Sequence, residues 1–170
     1  FMKLILLFLL FPIGALTESF PVFNSLKYEE VNLRHYPEKD DPNLKTIKFM
    51  LTERGMPVKI LRDYNAGGNI TEWYQVELFN GITGWIYHNQ LSKKRKLLLK
   101  EDKNLYLFNS FKEGFFKTRI KSKIISPKIV SLIKIKNNMA KIEISQNQKT
   151  SQGWILLDNS IWGLSEEELN

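Results

Sequence analysis

The chain has 170 residues, 25 Lys and Arg against 18 Asp and Glu, a net charge of +7 and no cysteine. Disulfide staples, thiolate nucleophiles and cysteine zinc sites are excluded, and a His-rich metal site would need both histidines, His35 and His88, together with carboxylates. A hydrophobic fraction of 43% and a charged fraction of 25% describe a folded globular chain, while the pI near 9.5 invites an anionic partner, nucleic acid included.

At the start, Met2-Lys3 precedes an apolar run over residues 4–16, interrupted by Pro12 and Gly14 and followed by Thr17 and Ser19. The run is short of the roughly 20 residues that span a bilayer. One charge, a short apolar core and a small-residue exit read as a secretory signal peptide over residues 1–19. Export to the periplasm or cell envelope follows, with membrane anchoring if the segment is not cleaved.

Downstream, the apolar pattern has period two. Val31 and Leu33 alternate with Asn32 and Arg34, Val58 and Ile60 flank Lys59, and Val76 and Leu78 alternate with Gln75 and Glu77. Ile133 and Ile135 alternate with Lys134 and Lys136, and Ile142 and Ile144 with Lys141 and Glu143. Such alternation marks half-buried strands. Turn signals separate them at 37–42, 65–69, Asn80-Gly81, Asn137-Asn138 and 147–153, and no long amphipathic helix is evident before Ser165. Short strands with frequent turns predict an all-β small barrel or sandwich.

An internal repeat divides the chain: Gly84-Trp85-Ile86 recurs as Gly153-Trp154-Ile155, with strands around Val58 and Val76 preceding the first and strands around Ile133 and Ile142 preceding the second. Each unit opens on a short strand, Val31-Asn32-Leu33-Arg34 or Leu105-Tyr106-Leu107-Phe108. The reading is a first domain over 20–92, a basic junction over 93–102, a divergent second domain over 103–164 and a frayed acidic tail over 165–170.

These residues resemble the bacterial SH3-like domain family in its secreted tandem form. The opening strand Val31-Asn32-Leu33-Arg34, then Arg54-Gly55-Met56-Pro57-Val58-Lys59-Ile60, Trp73-Tyr74-Gln75-Val76 and Gly84-Trp85-Ile86 through Leu91-Ser92 follow the family's motifs in order. The second unit matches in its ending, Gly153-Trp154-Ile155 and Ile161-Trp162-Gly163. Tyr36 stands where the family has glycine, Met139-Ala140 stand where a Trp-Cys pair is common, and residues 107–127 match poorly. The resemblance implies two tandem SH3-like barrels and a non-enzymatic envelope module without cofactor. It would bind peptidoglycan, as cell-wall peptide or glycan, or an envelope protein.

Strand parity gives a candidate surface. With Val76 and Ile86 inward, Trp73, Trp85 and Tyr87 point to the opposite face, and Tyr36 on the loop after the first strand could join them. An exposed aromatic surface of this kind suits a peptide or sugar; the plainer alternative is that the Gly permits a bend and the Trp covers barrel apolar surface. No catalytic residue or metal ligand is expected. His88 has no nucleophile or orienting carboxylate in sequence context, Glu29-Glu30 and Asp40-Asp41 are adjacent and diverge on a strand, and Gly67-Gly68 lacks the residues of a phosphate loop.

Lys93-Lys94-Arg95-Lys96 is a dense basic run, read either as a solvated linker or as a contact with anionic lipid or wall polymer. Residues 20–92 and 129–170 each carry a net charge of −1, whereas residues 93–128 hold 12 basic and 3 acidic side chains, a net +9. The charge therefore sits in one segment of an exported chain, and nucleic acid is not expected as a partner. The alternative function is a basic protein held on an anionic membrane or polymer through residues 93–128.

Overall fold

The computed structural model describes residues 21–38, 44–65, 67, 71–100, 105–116, 120–124, 128–146 and 148–169. The segment read as a signal peptide and the Asp40-Asp41 pair lie outside them. Among the described residues the chain is all-β apart from two short α-helices and one 3-10 turn at His88–Gln90. Strands β1 (Val22–Leu26), β2 (Val31–Arg34), β3 (Ile47–Leu51), β4 (Pro57–Tyr64), β5 (Trp73–Glu77), β6 (Thr83–Tyr87) and β7 (Leu91–Ser92) form one antiparallel sheet in the order β3-β2-β6-β5-β4-β1-β7. The second contains β8 (Lys96–Leu99), β9 (Leu105–Phe108), β10 (Ile120–Ile124), β11 (Lys128–Lys136), β12 (Met139–Gln146), β13 (Lys149–Leu156) and β14 (Ile161–Trp162). Its order, β10-β9-β13-β12-β11-β8-β14, is the first order advanced by seven strands. Helix α1 (Phe111–Phe115) lies between β9 and β10, and α2 (Glu166–Leu169) follows β14.

Each sheet buries one face. Val31, Leu33, Val58, Ile60, Val76 and Ile86 meet in the first core, and Leu97, Leu99, Leu107, Ile142 and Ile155 in the second. Fully burying side chains of this size stabilises by about 1.5–3 kcal/mol each. The glycine of each Gly-Trp-Ile motif is fixed by close approach rather than by a bend. A Cβ on Gly84 would lie 2.5 Å from Leu33 Cγ and 2.9 Å from the Arg34 carbonyl oxygen. On Gly153 it would lie 2.5 Å from Leu107 Cγ and 2.8 Å from the Phe108 carbonyl oxygen.

Two bulges recur at matching places. Ile60 pairs with Val76 but Arg62 pairs with Gln75, and Leu132 pairs with Ile142 but Lys134 with Lys141. In each sheet the extra residue turns the next side chain from the core to the outer face. The bulge corrects the reading of Ile133, which is exposed while Leu132 packs on the core.

The stretch 93–102, expected as a junction, holds strand β8, which pairs with β11 and β14 inside the second sheet. Leu97 and Leu99 enter the core, while Leu98 sits across from Trp162 on the other face. That other face meets the first sheet. The Trp162 indole Nε1 donates to the Pro57 carbonyl at 3.0 Å, and its ring meets Phe23 edge-on at 5.2 Å. The Ser25 hydroxyl donates to the Lys94 carbonyl at 2.8 Å.

Within the acidic tail, Glu166–Leu169 form α2. Glu168 on α2 accepts two hydrogen bonds from the Arg95 guanidinium, at 2.9 and 3.2 Å, and one from the Ser165 N–H at 2.8 Å. Partial burial pushes the Glu168 carboxyl up, but the Arg95 and Ser165 hydrogen bonds and the guanidinium charge outweigh it and hold the group below its ordinary 4.5.

Candidate functional site

The register of β4, β5 and β6 builds an outer-face cluster in two cross-strand rows. Tyr64 pairs with Trp73 and Trp73 with Tyr87, while Arg62 pairs with Gln75, Gln75 with Trp85 and Trp85 with Arg34. Trp73 and Tyr87 meet edge-to-face at 5.2 Å, and Tyr64 meets Trp85 at 5.9 Å. Arg34 lies over the Trp73 ring at 5.9 Å and Arg62 over the Trp85 ring at 5.4 Å. The guanidinium groups are themselves held: Arg62 Nε donates to Gln75 Oε1 at 2.6 Å, and Arg34 Nη1 donates to the buried Thr46 hydroxyl.

Trp73, Trp85 and Tyr87 thus share one face, but they do not form an exposed platform. Trp73 is only 4% exposed and Trp85 8%, whereas Tyr64 is 43% exposed and Arg62 is exposed. The indoles are a packed floor and the tyrosine and arginine side chains are its rim. The difference arises because large flat rings on adjacent strands bury one another's edges and are then roofed by cations. Tyr36, half-exposed on the turn after β2, makes no ring contact with this cluster among the described residues. His88 stacks edge-on against Tyr87 at 4.8 Å, and its backbone N–H donates to the Glu72 carbonyl at 2.9 Å. Among the described residues no three His, Cys, Asp or Glu side chains gather as metal ligands.

Arg34, Arg62, Tyr64 and Gln75 complete the cluster and escape a reading based on alternation alone. For Arg62 and Tyr64 the bulge after Ile60 inverts the face that simple parity assigns.

The equivalent rows in the second sheet run Lys136 to Met139 to Leu156, and Lys134 to Lys141 to Trp154 to Phe108. Here α1 packs over β9, β12 and β13. Phe111 meets Trp154 edge-to-face at 5.4 Å, and Gly114 comes so close that a Cβ there would lie 2.1 Å from Met139 Cε. Met139 takes the place of Trp73, and the chain's own helix fills the space above it. Ser110-x-x-Glu113 is the sequence signal for that helix, since the Ser110 hydroxyl accepts from the Glu113 N–H at 3.2 Å.

The basic run divides. Lys93 and Lys94 are exposed, whereas Arg95 binds Glu168 and the Gly163 carbonyl, and Lys96 Nζ donates to the Ser131 hydroxyl at 2.6 Å. The side chains of Arg95 and Lys96 are thus held within the second unit, while the Lys94 backbone bonds to Ser25 and Ser92.

No family model and no curated protein matches the chain. Among solved structures it is similar to NlpC1 from Trichomonas vaginalis, at 15% identity and a TM-score of 0.31. The alignment covers 88% of this chain and 48% of that one, so the chain spans about half the length of that structure.

Proposed function

We propose that the protein is a non-enzymatic, exported binding module of the cell envelope, built from two tandem SH3-like barrels, and that it recognises cell-wall peptide through the outer face of its first sheet. The reading is supported by one arrangement: Trp73, Trp85, Tyr87 and Tyr64 gathered on one face with the guanidinium groups of Arg34 and Arg62. Aromatic edges offer stacking area to a sugar or an extended peptide, and guanidinium groups offer paired donors to carboxylates. The indole floor keeps the rim rigid, so little ordering is needed on binding. The resemblance of the Arg54–Ile60 and Gly84–Ile86 motifs to bacterial SH3-like domains points to the same ligand class.

Cosedimentation of the full chain with purified peptidoglycan, at low and moderate salt, tests this. Binding through the aromatic rim persists at both, because stacking is not screened over the roughly 8–10 Å that attenuates exposed charges. Replacing Tyr64 and Arg62 together by Ala abolishes sedimentation while leaving the melting temperature within a few degrees. Absence of sedimentation at either salt would contradict the proposal.

A further inference from the structure

A cavity of about 800 Å³ opens where the two units meet. Its floor is apolar. Phe23 on β1 meets Trp162 on β14 edge-on at 5.2 Å, and Ile161, Leu164 and Leu169 line the cavity beside them. Trp162 has no counterpart in the first unit, where β7 carries Ser92 at the equivalent place. The volume falls in the range of about 300–1,000 Å³ typical of small-ligand sites, which favour the junctions between domains.

The walls bring both signs of charge. Lys59 on β4 and Lys100 after β8 come from the two sheets, and Glu166 and Glu167 come from α2. Arg95 and Glu168 also line the cavity but neutralise each other through hydrogen bonds at 2.9 and 3.2 Å, and Arg95 donates to the Gly163 carbonyl as well. Gly163 makes the turn that carries the chain from β14 to α2: its φ is +113°, and a Cβ there would lie 2.5 Å from the Lys96 carbonyl oxygen. The α2 wall is therefore in place before any ligand arrives. Lys59 Nζ lies 4.0 Å from a Glu77 carboxylate oxygen. Among the described residues the half-buried Lys100 ammonium and the Glu167 carboxylate make no hydrogen bond or ion pair.

We infer that this cavity binds a short apolar peptide with free termini. The peptide carboxylate meets Lys100, its ammonium meets Glu167, and its side chains cover the Phe23–Trp162 floor. A fatty acid would satisfy the floor and Lys100 but would set its chain beside the uncompensated Glu167. A polycation would do the reverse, and a neutral sugar would leave both charges without a counter-charge. The inference concerns residues that the wall-binding face does not use and stands apart from that reading.

The test is titration of the full chain with trileucine, with affinity read by calorimetry and the indole N–H signals by two-dimensional NMR. The Trp162 signal shifts, and those of Trp73, Trp85 and Trp154 stay in place. N-acetylation or C-terminal amidation of the peptide each weakens binding about tenfold, the size of one hydrogen bond to a charged group. Lys100→Gln weakens the free peptide by the same factor but leaves the amidated form unaffected, and Glu167→Gln does likewise for the acetylated form. Such pairing of variant with blocked terminus does not arise from misfolding, and the Lys100 backbone N–H keeps its bond to the Ser160 carbonyl in the variant. The inference is overturned if trileucine leaves Trp162 unmoved, if the blocked peptides bind as tightly as the free one, or if Lys100→Gln weakens the amidated peptide equally. A shift of Trp73 and Trp85 alone would place the peptide on the outer face of the first sheet, which overturns the inference and leaves the wall reading intact.

Discussion

Two sheets of one strand order carry different chemistry on their outer faces. Around Trp85 the neighbours are Arg34, Gln75 and Arg62; around Trp154 they are Phe108, Lys141 and Lys134. The cation over the indole is kept in both, at 5.4 Å and 5.3 Å. What changes is the space above. Met139 replaces an indole, and α1 lies in the volume gained, with Gly114 against the Met139 methyl. The lesson is that the inner face and the glycine contacts specify the sheet, while the outer face is free to become an aromatic floor rimmed by arginines in one unit and an internally capped, lysine-bearing surface in the other.

The largest effect tests the shared plan itself. Gly84→Ala and Gly153→Ala each drive a methyl into a leucine and a carbonyl oxygen, and each destabilises by about 3 kcal/mol in chemical denaturation. A cost in one sheet alone would break the equivalence of the two.

The next concerns what docks the units together. β14 corresponds to β7, yet it carries Trp162 where β7 carries Ser92. Trp162→Ser removes the bond to the Pro57 carbonyl and the edge contact with Phe23, costs about 2 kcal/mol, and separates one thermal transition into two. A single, unshifted calorimetric transition would remove Trp162 from the interface.

The smallest effect sharpens the role of the last helix. Glu168→Gln costs about 1 kcal/mol at pH 7, a value discounted for a partly exposed pair. Because the folded carboxyl titrates below 4.5, its contribution is complete above that pH and is lost as the pH falls through the folded value. Melting temperatures of wild type and variant therefore converge in acid and differ at neutral pH. A constant difference across the range would assign the helix to packing alone.

Much of this plan is legible from residues alone. The strands around Val31, Val76 and Ile142 announce themselves by alternation of core and polar positions, and those around Gly84 and Gly153 by the repeated Gly-Trp-Ile. β8 does not, because Leu97 and Leu99 enter the core while Leu98 is buried on the opposite side, so the run is continuously apolar. β1 is obscured likewise by Phe23 and Ser25, buried on its second face. The common face of Trp73, Trp85 and Tyr87 follows from parity, but their burial does not, since parity gives direction and not what lies overhead. The rim residue Arg62 and the lysine pair both depend on a bulge, and one extra residue reverses every assignment beyond it.

The four tryptophans allow the contrast between the two faces to be read in one experiment. In a two-dimensional NMR titration with a soluble disaccharide–stem-peptide fragment of peptidoglycan, the indole N–H signals of Trp73 and Trp85 shift with ligand while that of Trp154, under α1, stays in place. A shift of Trp154 equal to theirs, or stationary signals from Trp73 and Trp85 at saturating ligand, would contradict the account.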